Sequence, residues 1–280
     1  MVLYDKTFFM PHITVNGVKL YYEVAGEGEE TMLFSHGLLM NAHMFHKQIA
    51  FFKSRYRCVA YDHRGQGQSE VTATGYDMDT LTNDAVALIK ALNLGACHVV
   101  GLSMGGFVAM RLAARQPKLV KSVILMETSA DIEPNAFKYR LLSLVFKYFG
   151  AAPISRRIMH IMFGQKFLKD PQRKAERQEW RQMIINNPPT IVRAVHGVIE
   201  RPSILAELKN IAAPTLVMVG DQDLATIPAK AEQIHSLVPN SKLVIISGAG
   251  HSASIEEPEK VNLAIDEFLR ELQNDFDADL

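Results

Sequence analysis

Around position 100 an apolar run, Val99-Val100, leads into Gly101-Leu102-Ser103-Met104-Gly105-Gly106 and then into the apolar, helix-periodic stretch Phe107 to Ala114. A strand that enters Gly-x-Ser-x-Gly and leaves as a helix places Ser103 on a sharp strand-to-helix turn, the geometry of a nucleophile elbow. Gly101 and Gly105 let the backbone reverse without a side-chain clash, and Gly106 lets the helix pack close to the sheet. The serine hydroxyl is thereby pushed clear of the strand ends. The helix beneath it offers free N–H groups and a positive dipole end to any oxyanion formed there. The competing reading is a tight structural turn with no chemistry attached.

Around this turn, strand-like and helix-like stretches alternate. Ile13 to Val15, the Asn16-Gly17 turn and Val18 to Val24 read as a hairpin that opens the fold with antiparallel strands. Met32 to Phe34 is a short strand delivering His36-Gly37-Leu38, Met44 to Phe52 a helix, and Cys58 to Tyr61 the next strand, ending in the polar turn Asp62 to Ser69. Leu81, Ala85, Leu88 and Leu92 form one stripe of a helix over Asp79 to Leu92. The strand into Ser103, a helix to about Gln116 and a strand over Val120 to Met126 follow. Alternation at βαβ spacing implies a mainly parallel sheet with helices on both faces.

The alternation stops between Phe137 and Arg201, where the sequence is helical in tone and broken by Gly150, Pro153, Gly164, Pro171 and Pro188-Pro189. It resumes with Pro214 to Val219 as a strand, Ala229 to Leu237 as a helix, Leu243 to Ile246 as a last strand and Val261 to Leu272 as a closing helix. Asn274 to Leu280 reads as a frayed acidic tail. The expected organisation is a core formed by residues 1–130 and 202–280 with a helical insertion over 131–201.

At 280 residues and 48% hydrophobic content the chain can bury one large core. Its 30 basic and 30 acidic residues cancel, which argues against a nucleic-acid binder. Cys58 and Cys97 lie apart in apolar runs and read as buried thiols, not a disulfide or metal site. Asp5 and Lys6 interrupt the apolar string Met1 to Met10, so neither a signal peptide nor a stably inserted span is expected and the cytoplasm is the expected compartment.

Open α/β sheets place ligands at the carboxyl ends of their strands. Serine is a poor nucleophile near neutral pH, so Ser103 needs a base, and the base needs a group that fixes its tautomer. Gly220-Asp221-Gln222-Asp223 follows one late strand and Gly248-Ala249-Gly250-His251 the last one, giving the order Ser, Asp, His. Asp223 is the preferred acid. Asp221 instead suits a loop cap or a backbone N–H. Glu127, just past the strand ending at Met126, is a second place for an acid, with a hydrogen-bonded hinge residue as its plainer reading. His251 has the plainer reading of a surface loop histidine. Asp62 and Arg64 read as structural residues fixing their loop.

His36-Gly37, Asp62-x-Arg64-Gly65-x-Gly67-x-Ser69, Gly101-x-Ser103-x-Gly105, Gly220-x-x-Asp223 and Gly250-His251 occur in the order seen in the α/β-hydrolase family, and the chain resembles that family over nearly all its length. The resemblance implies an α/β-hydrolase fold: a mainly parallel eight-stranded sheet flanked by helices, with a cap or lid inserted after the sixth strand. It further implies Ser103 as nucleophile, His251 as base, Asp223 as acid, and an oxyanion hole made by the backbone N–H groups of Leu38 and Met104. Haloalkane dehalogenases and epoxide hydrolases of this family carry aspartate at the elbow, so Ser103 argues against both. The tryptophan that follows His-Gly in many perhydrolase-like members is replaced by Leu38. Within the family the chain resembles the 3-oxoadipate enol-lactonase group through Tyr61-Asp62-x-Arg64-Gly65, Gly101 to Gly106 and Asp223-Leu224-Ala225-Thr226-x-Pro228-Ala229; the inserted segment does not share that likeness.

Other features carry weaker readings. His43 and His46, one helical turn apart, read as a helix surface; no metal and no cofactor is expected. Met40, Met44, Met104, Met159, Met162 and Met183 suit either a soft acyl pocket or ordinary core filling. Tyr139 to Phe149, apolar with Arg140 and Lys147, could touch lipid or a partner subunit, or pack as a cap helix. Phe137 to Arg201 holds 13 basic and 4 acidic residues, about +9, against about −9 for the remainder. A basic lid would concentrate anionic substrates; the plainer reading is an exposed helical face.

The chemistry expected is hydrolysis of a carboxylic ester of small to medium acyl chain through an acyl-enzyme. One alternative is hydrolysis of a carboxylate-bearing lactone, with Arg156, Arg157 or Arg193 holding the anion. Another is a ligand-binding protein that keeps the fold without turnover. The expected partner is a small ester or lactone, and a homodimer is one assembly open to the chain.

Overall fold

A computed structural model describes residues 11–278; the string Met1 to Met10 and the last two residues, 279–280, lie outside the described residues. Strands β1 (His12–Val15) and β2 (Val18–Ala25) form the expected hairpin, with Asn16 and Gly17 at φ 47° and 71°, as a type I′ turn requires. Then come β3 (Thr31–Ser35), α1 (His46–Phe52), β4 (Arg57–Tyr61), α2 (Met78–Ala91), β5 (Cys97–Leu102), α3 (Met104–Arg115) and β6 (Val120–Met126). The helix expected from Met44 starts two residues later because a 3-10 turn over Ala42–Phe45, capped by the Asn41 side chain, precedes it.

Five helices separate β6 from the next strand: α4 (Ala136–Phe149), α5 (Ser155–Met162), α6 (Gln165–Lys169), α7 (Lys174–Ile185) and α8 (Val192–Ile199). The chain ends with β7 (Thr215–Gly220), α9 (Pro228–Leu237), β8 (Ser241–Ile246), α10 (Ala253–Glu256) and α11 (Pro258–Ala278). The last helix differs from its expected span. Pro258 starts it a turn early, as proline in a first turn can, and no glycine or proline after Leu272 stops it, so Asn274 lies inside the helix and not in a frayed tail.

The eight strands form one sheet in the order β1-β2-β4-β3-β5-β6-β7-β8. The β1/β2 and β2/β4 pairs are antiparallel and all others parallel. Pairing of Ser35 with Gly101, Leu102 with Met126 and Gly220 with Ile246 brings the carboxyl ends of β3, β5, β6, β7 and β8 to one edge.

Strand alternation divides the core in two. Leu33, Val99, Val123 and Val217 face α2, α3 and α9. Phe34, Val100, Ile124 and Leu216 face α1 and α11, and this cluster continues into Phe146, Met159, Trp180 and Ile184 of the helices between β6 and β7. Each such side chain removed from water contributes about 1.5–3 kcal/mol. Both cysteines are free and buried, and burial pushes each thiol up to about 12. Among the described residues no helix is long and apolar enough to cross a membrane.

Candidate active site

Ser103 links β5 to α3 at φ 51° and ψ −111°, a backbone state that costs a non-glycine residue roughly 1–3 kcal/mol. Its neighbours hold it there: its N–H donates to Met126 O at 2.9 Å and its carbonyl accepts the Thr128 hydroxyl at 2.9 Å. The glycines on either side are sterically required. A Cβ on Gly101 would lie 2.4 Å from Gly105 O, and one on Gly105 would lie 1.8 Å from Ser35 O.

The loops after β7 and β8 bring Asp223 and His251 to this turn. His251 Nε2 lies 2.9 Å from Ser103 Oγ, and His251 Nδ1 lies 2.9 Å and 3.1 Å from the two carboxylate oxygens of Asp223. A carboxylate only accepts, so Nδ1 carries the proton and the Nε2 lone pair faces the serine hydroxyl. Asp223 also accepts the N–H groups of Ala225 and Thr226 and the Thr226 hydroxyl at 2.8–2.9 Å. Burial by itself raises this carboxyl, but the His251 ring and the Thr226 donors outweigh it and hold Asp223 below its ordinary value.

The two other candidate acids lie elsewhere. Asp221 accepts the Gly248 N–H at 2.8 Å, which makes it a loop brace. Glu127 is fully buried just past β6, and its backbone N–H donates to Met218 O at 3.0 Å, in keeping with a hydrogen-bonded residue at the start of the insertion. Burial, reinforced by the charges of Asp223 and Glu256, pushes its carboxyl well above the ordinary range.

Met104 is the first residue of α3, where backbone N–H groups have no intrahelical acceptor. Leu38 lies between Gly37, whose N–H meets Met44 Sδ, and Leu39, whose N–H donates to Gln66 Oε1 at 3.0 Å. Gln66 Nε2 reaches Met104 Sδ at 3.5 Å, so one buried amide touches both segments. Beneath them Asp62 accepts the N–H groups of Ala42 and Gln68 at 2.8 and 2.7 Å, and Arg64 forks onto Asp84 at 2.9 Å, the bracing expected of that loop. His36 donates from Nδ1 to Gly37 O and accepts the His63 N–H at Nε2. Burial pulls it down to about 4.

Ser103, His251 and Thr226 open into a cavity of about 170 Å³ whose other walls include Leu38, Phe107, Leu142, Phe146, Ile158, Val195 and Ile199. Met162 lines it as well; Met40, Met44, Met104 and Met159 are packed in the core, and Met183 lines a separate groove, so the soft methionine pocket is not formed. Of the three arginines singled out in the sequence, Arg157 lines the cavity, Arg156 is exposed, and Arg193 donates to the Thr72 carbonyl. His43 and His46 stack with ring centroids 4.5 Å apart, outside any metal-binding group among the described residues.

Three residues escaped the sequence reading. Arg201 lines the cavity with its guanidinium 4.3 Å over the Phe107 ring, bonded to Ser129, Val198 O and Glu133. Glu256 accepts the N–H groups of Gly250, Ser252 and Gly164. Gln66 was one letter in a loop motif. No short-range pattern marks any of them, because each makes at least one bond to a group distant in sequence: Arg201 to Ser129, Glu256 to Gly164 and Gln66 to Leu39.

The chain is similar to 3-oxoadipate enol-lactonase 2 of Acinetobacter baylyi, 28% identical over 94% of this chain and 97% of that one. Among solved structures, a thermophilic esterase from Thermogutta terrifontis, crystallised with malate bound, matches with a TM-score of 0.86 and 29% identity over 94% of this chain and 98% of that one. The enol-lactonase of Burkholderia xenovorans shares the fold with a TM-score of 0.87 at 24% identity over 93% and 100%. The model of the alpha/beta hydrolase fold family matches residues 30–258. With that match added to the sheet order and the strand-to-helix turn at Ser103, the chain belongs to the alpha/beta hydrolase fold family.

Proposed function

We propose that the protein is a serine hydrolase of carboxylic esters with small to medium acyl chains. The observation that carries the reading is the hydrogen-bonded line from Ser103 Oγ through His251 to Asp223, 2.9 Å at each step, at the wall of an apolar cavity. In this reading Ser103 Oγ attacks the ester carbonyl while its proton passes to His251 Nε2, and Asp223 stabilises the resulting imidazolium. The oxyanion is received by the N–H groups of Leu38 and Met104. His251 returns the proton to the departing alkoxide, leaving an acyl-enzyme. Water, deprotonated by His251, then attacks the acyl carbon and releases the acid and Ser103. The segment over residues 131–201 serves as a cap, supplying the acyl-facing wall through Leu142, Phe146 and Ile158.

A second reading, hydrolysis of a carboxylate-bearing lactone, is favoured by Arg157 at the cavity wall and by the likeness to an enol-lactonase and to an esterase crystallised with malate. Initial rates over short, medium and long acyl esters and over neutral and carboxylate-bearing lactones, with Ser103→Ala in parallel, separate the two. A chain-length optimum on neutral esters is expected. Preference for an anionic lactone would install the second reading, and no Ser103-dependent turnover on any substrate would leave a ligand-binding protein.

A further inference from the structure

Helix α4 has an apolar side that it buries and another that it does not. Tyr139, Leu142, Ser143 and Phe146, spaced three and four apart, line the cavity. On the opposite side Phe137, Leu141, Leu144 and Tyr148, spaced four, three and four, are 76%, 51%, 50% and 69% exposed. Side chains at that spacing lie on one face of a helix. Four large apolar groups in one exposed stripe are more than the scattered surface residues of an ordinary soluble chain.

The chemistry around the stripe selects what covers it. Lys138, Arg140 and Lys147 flank it; Arg140 pairs with Glu200, whereas Lys138 and Lys147 have no carboxylate partner among the described residues. The surrounding segment, Phe137 to Arg201, carries 13 basic and 4 acidic residues. A second copy laid face to face would set these positive charges against each other. An anionic lipid surface meets both features at once, with headgroups for the lysines and acyl chains for the rings and leucines. At 14 residues α4 is about 21 Å long, too short to span a bilayer, and its two-sided pattern suits lying in the interface plane.

We infer that the outer face of α4 adsorbs to an anionic lipid surface. Phe137, Leu141, Leu144 and Tyr148 enter the acyl boundary while Lys138 and Lys147 meet the phosphates. Adsorption stands independently of the hydrolase reading; delivery of an acyl substrate past α4 to Ser103 rests on that reading.

The test is sedimentation of the full chain with phosphatidylcholine vesicles, with and without phosphatidylglycerol. The wild-type chain is expected to pellet with the anionic vesicles and to be released by salt. Phe137→Ser/Leu141→Ser/Leu144→Ser should lower its partition coefficient at least about tenfold, and Lys138→Glu/Lys147→Glu should remove the preference for phosphatidylglycerol. Both variants should keep the wild-type circular dichroism and the wild-type rate on a short, water-soluble ester. A wild-type chain that stays in the supernatant, or a triple-serine variant that pellets equally, overturns the inference. So does a wild-type dimer that the triple variant converts to monomer without vesicle binding, because a second copy then covers the face. Ser103→Ala is carried through the same assay: binding without turnover in the wild type would sink only the hydrolase reading, and turnover without binding only this one.

Discussion

Glu256 accepts the backbone N–H of Gly164 at 2.8 Å, tying the segment just before α6 to the loop that carries His251. The other oxygen of the same carboxylate takes the N–H groups of Gly250 and Ser252, the residues on either side of that histidine, at 3.0 and 3.1 Å. Glu256 is therefore a positioning residue for the proposed base. A glutamine keeps one acceptor but turns an N–H₂ toward an N–H, leaving a buried donor without a partner. Glu256→Gln is expected to lower kcat about tenfold through loss of alignment, with a smaller effect on KM. Steady-state kinetics on the ester selected by the substrate panel checks this, and an unchanged kcat would show that the base is held by other contacts.

The same residue gives the stability a pH dependence of known sign. Burial raises the Glu256 carboxyl from 4.5 to about 7, against the pull of the Gly164, Gly250 and Ser252 N–H groups. The folded protein thus binds this proton more tightly than the unfolded chain, so the associated stability is fully present below the unfolded value and is lost as pH rises through the folded one. Glutamine does not titrate. Between about pH 4.5 and 7.5 the wild-type chain should lose up to about 3 kcal/mol relative to Glu256→Gln. Urea unfolding of both proteins across that range tests it, and parallel curves would mean that Glu256 does not titrate in this window.

Much of this architecture is legible in the sequence because strand and helix periods differ and turn residues punctuate them. The hairpin at Asn16-Gly17, the sheet strands and the turn at Ser103 follow from those signals, and the order Ser103, Asp223, His251 from their places at strand ends. Other parts are not written locally. Methionines such as Met104 and Met162 look alike as letters, yet one packs in the core and the other lines the cavity, a choice made by tertiary packing. Glu256 bonds a glycine 92 positions away, and Gln66 a leucine 27 positions away. The helices between β6 and β7 are short, and their limits depend on how they dock.

Two aspartates two residues apart give a sharp test of the proposed triad. Asp223 accepts from His251 Nδ1, while the Asp221 carboxylate accepts the Gly248 N–H. Asparagine at 223 can turn its amide nitrogen toward the ring and favour the unproductive tautomer, so Asp223→Asn should reduce kcat by about 10²–10⁴-fold. Asp221→Asn keeps an acceptor for the loop and should stay within about threefold of wild type. Equal losses in the two variants would count against Asp223 as the proposed acid. Circular dichroism on both separates a chemical effect from a folding one.

Gln66 offers a test of the proposed oxyanion site that leaves Ser103, His251 and Asp223 untouched. Its Oε1 takes the Leu39 N–H at 3.0 Å and its Nε2 approaches Met104 Sδ at 3.5 Å, so one planar amide fixes the spacing between the two segments that bear the proposed donors. Gln66→Leu fills similar space but leaves the buried Leu39 N–H without an acceptor and frees the segment around Leu38 to shift. Stabilisation of an oxyanion is felt in the transition state and barely in the ground state. The expected outcome is a kcat lowered about 10- to 100-fold with KM changed by less than about threefold. A rise in KM at constant kcat would instead place Gln66 in the binding of ground-state substrate and remove it from the positioning of Leu38 and Met104.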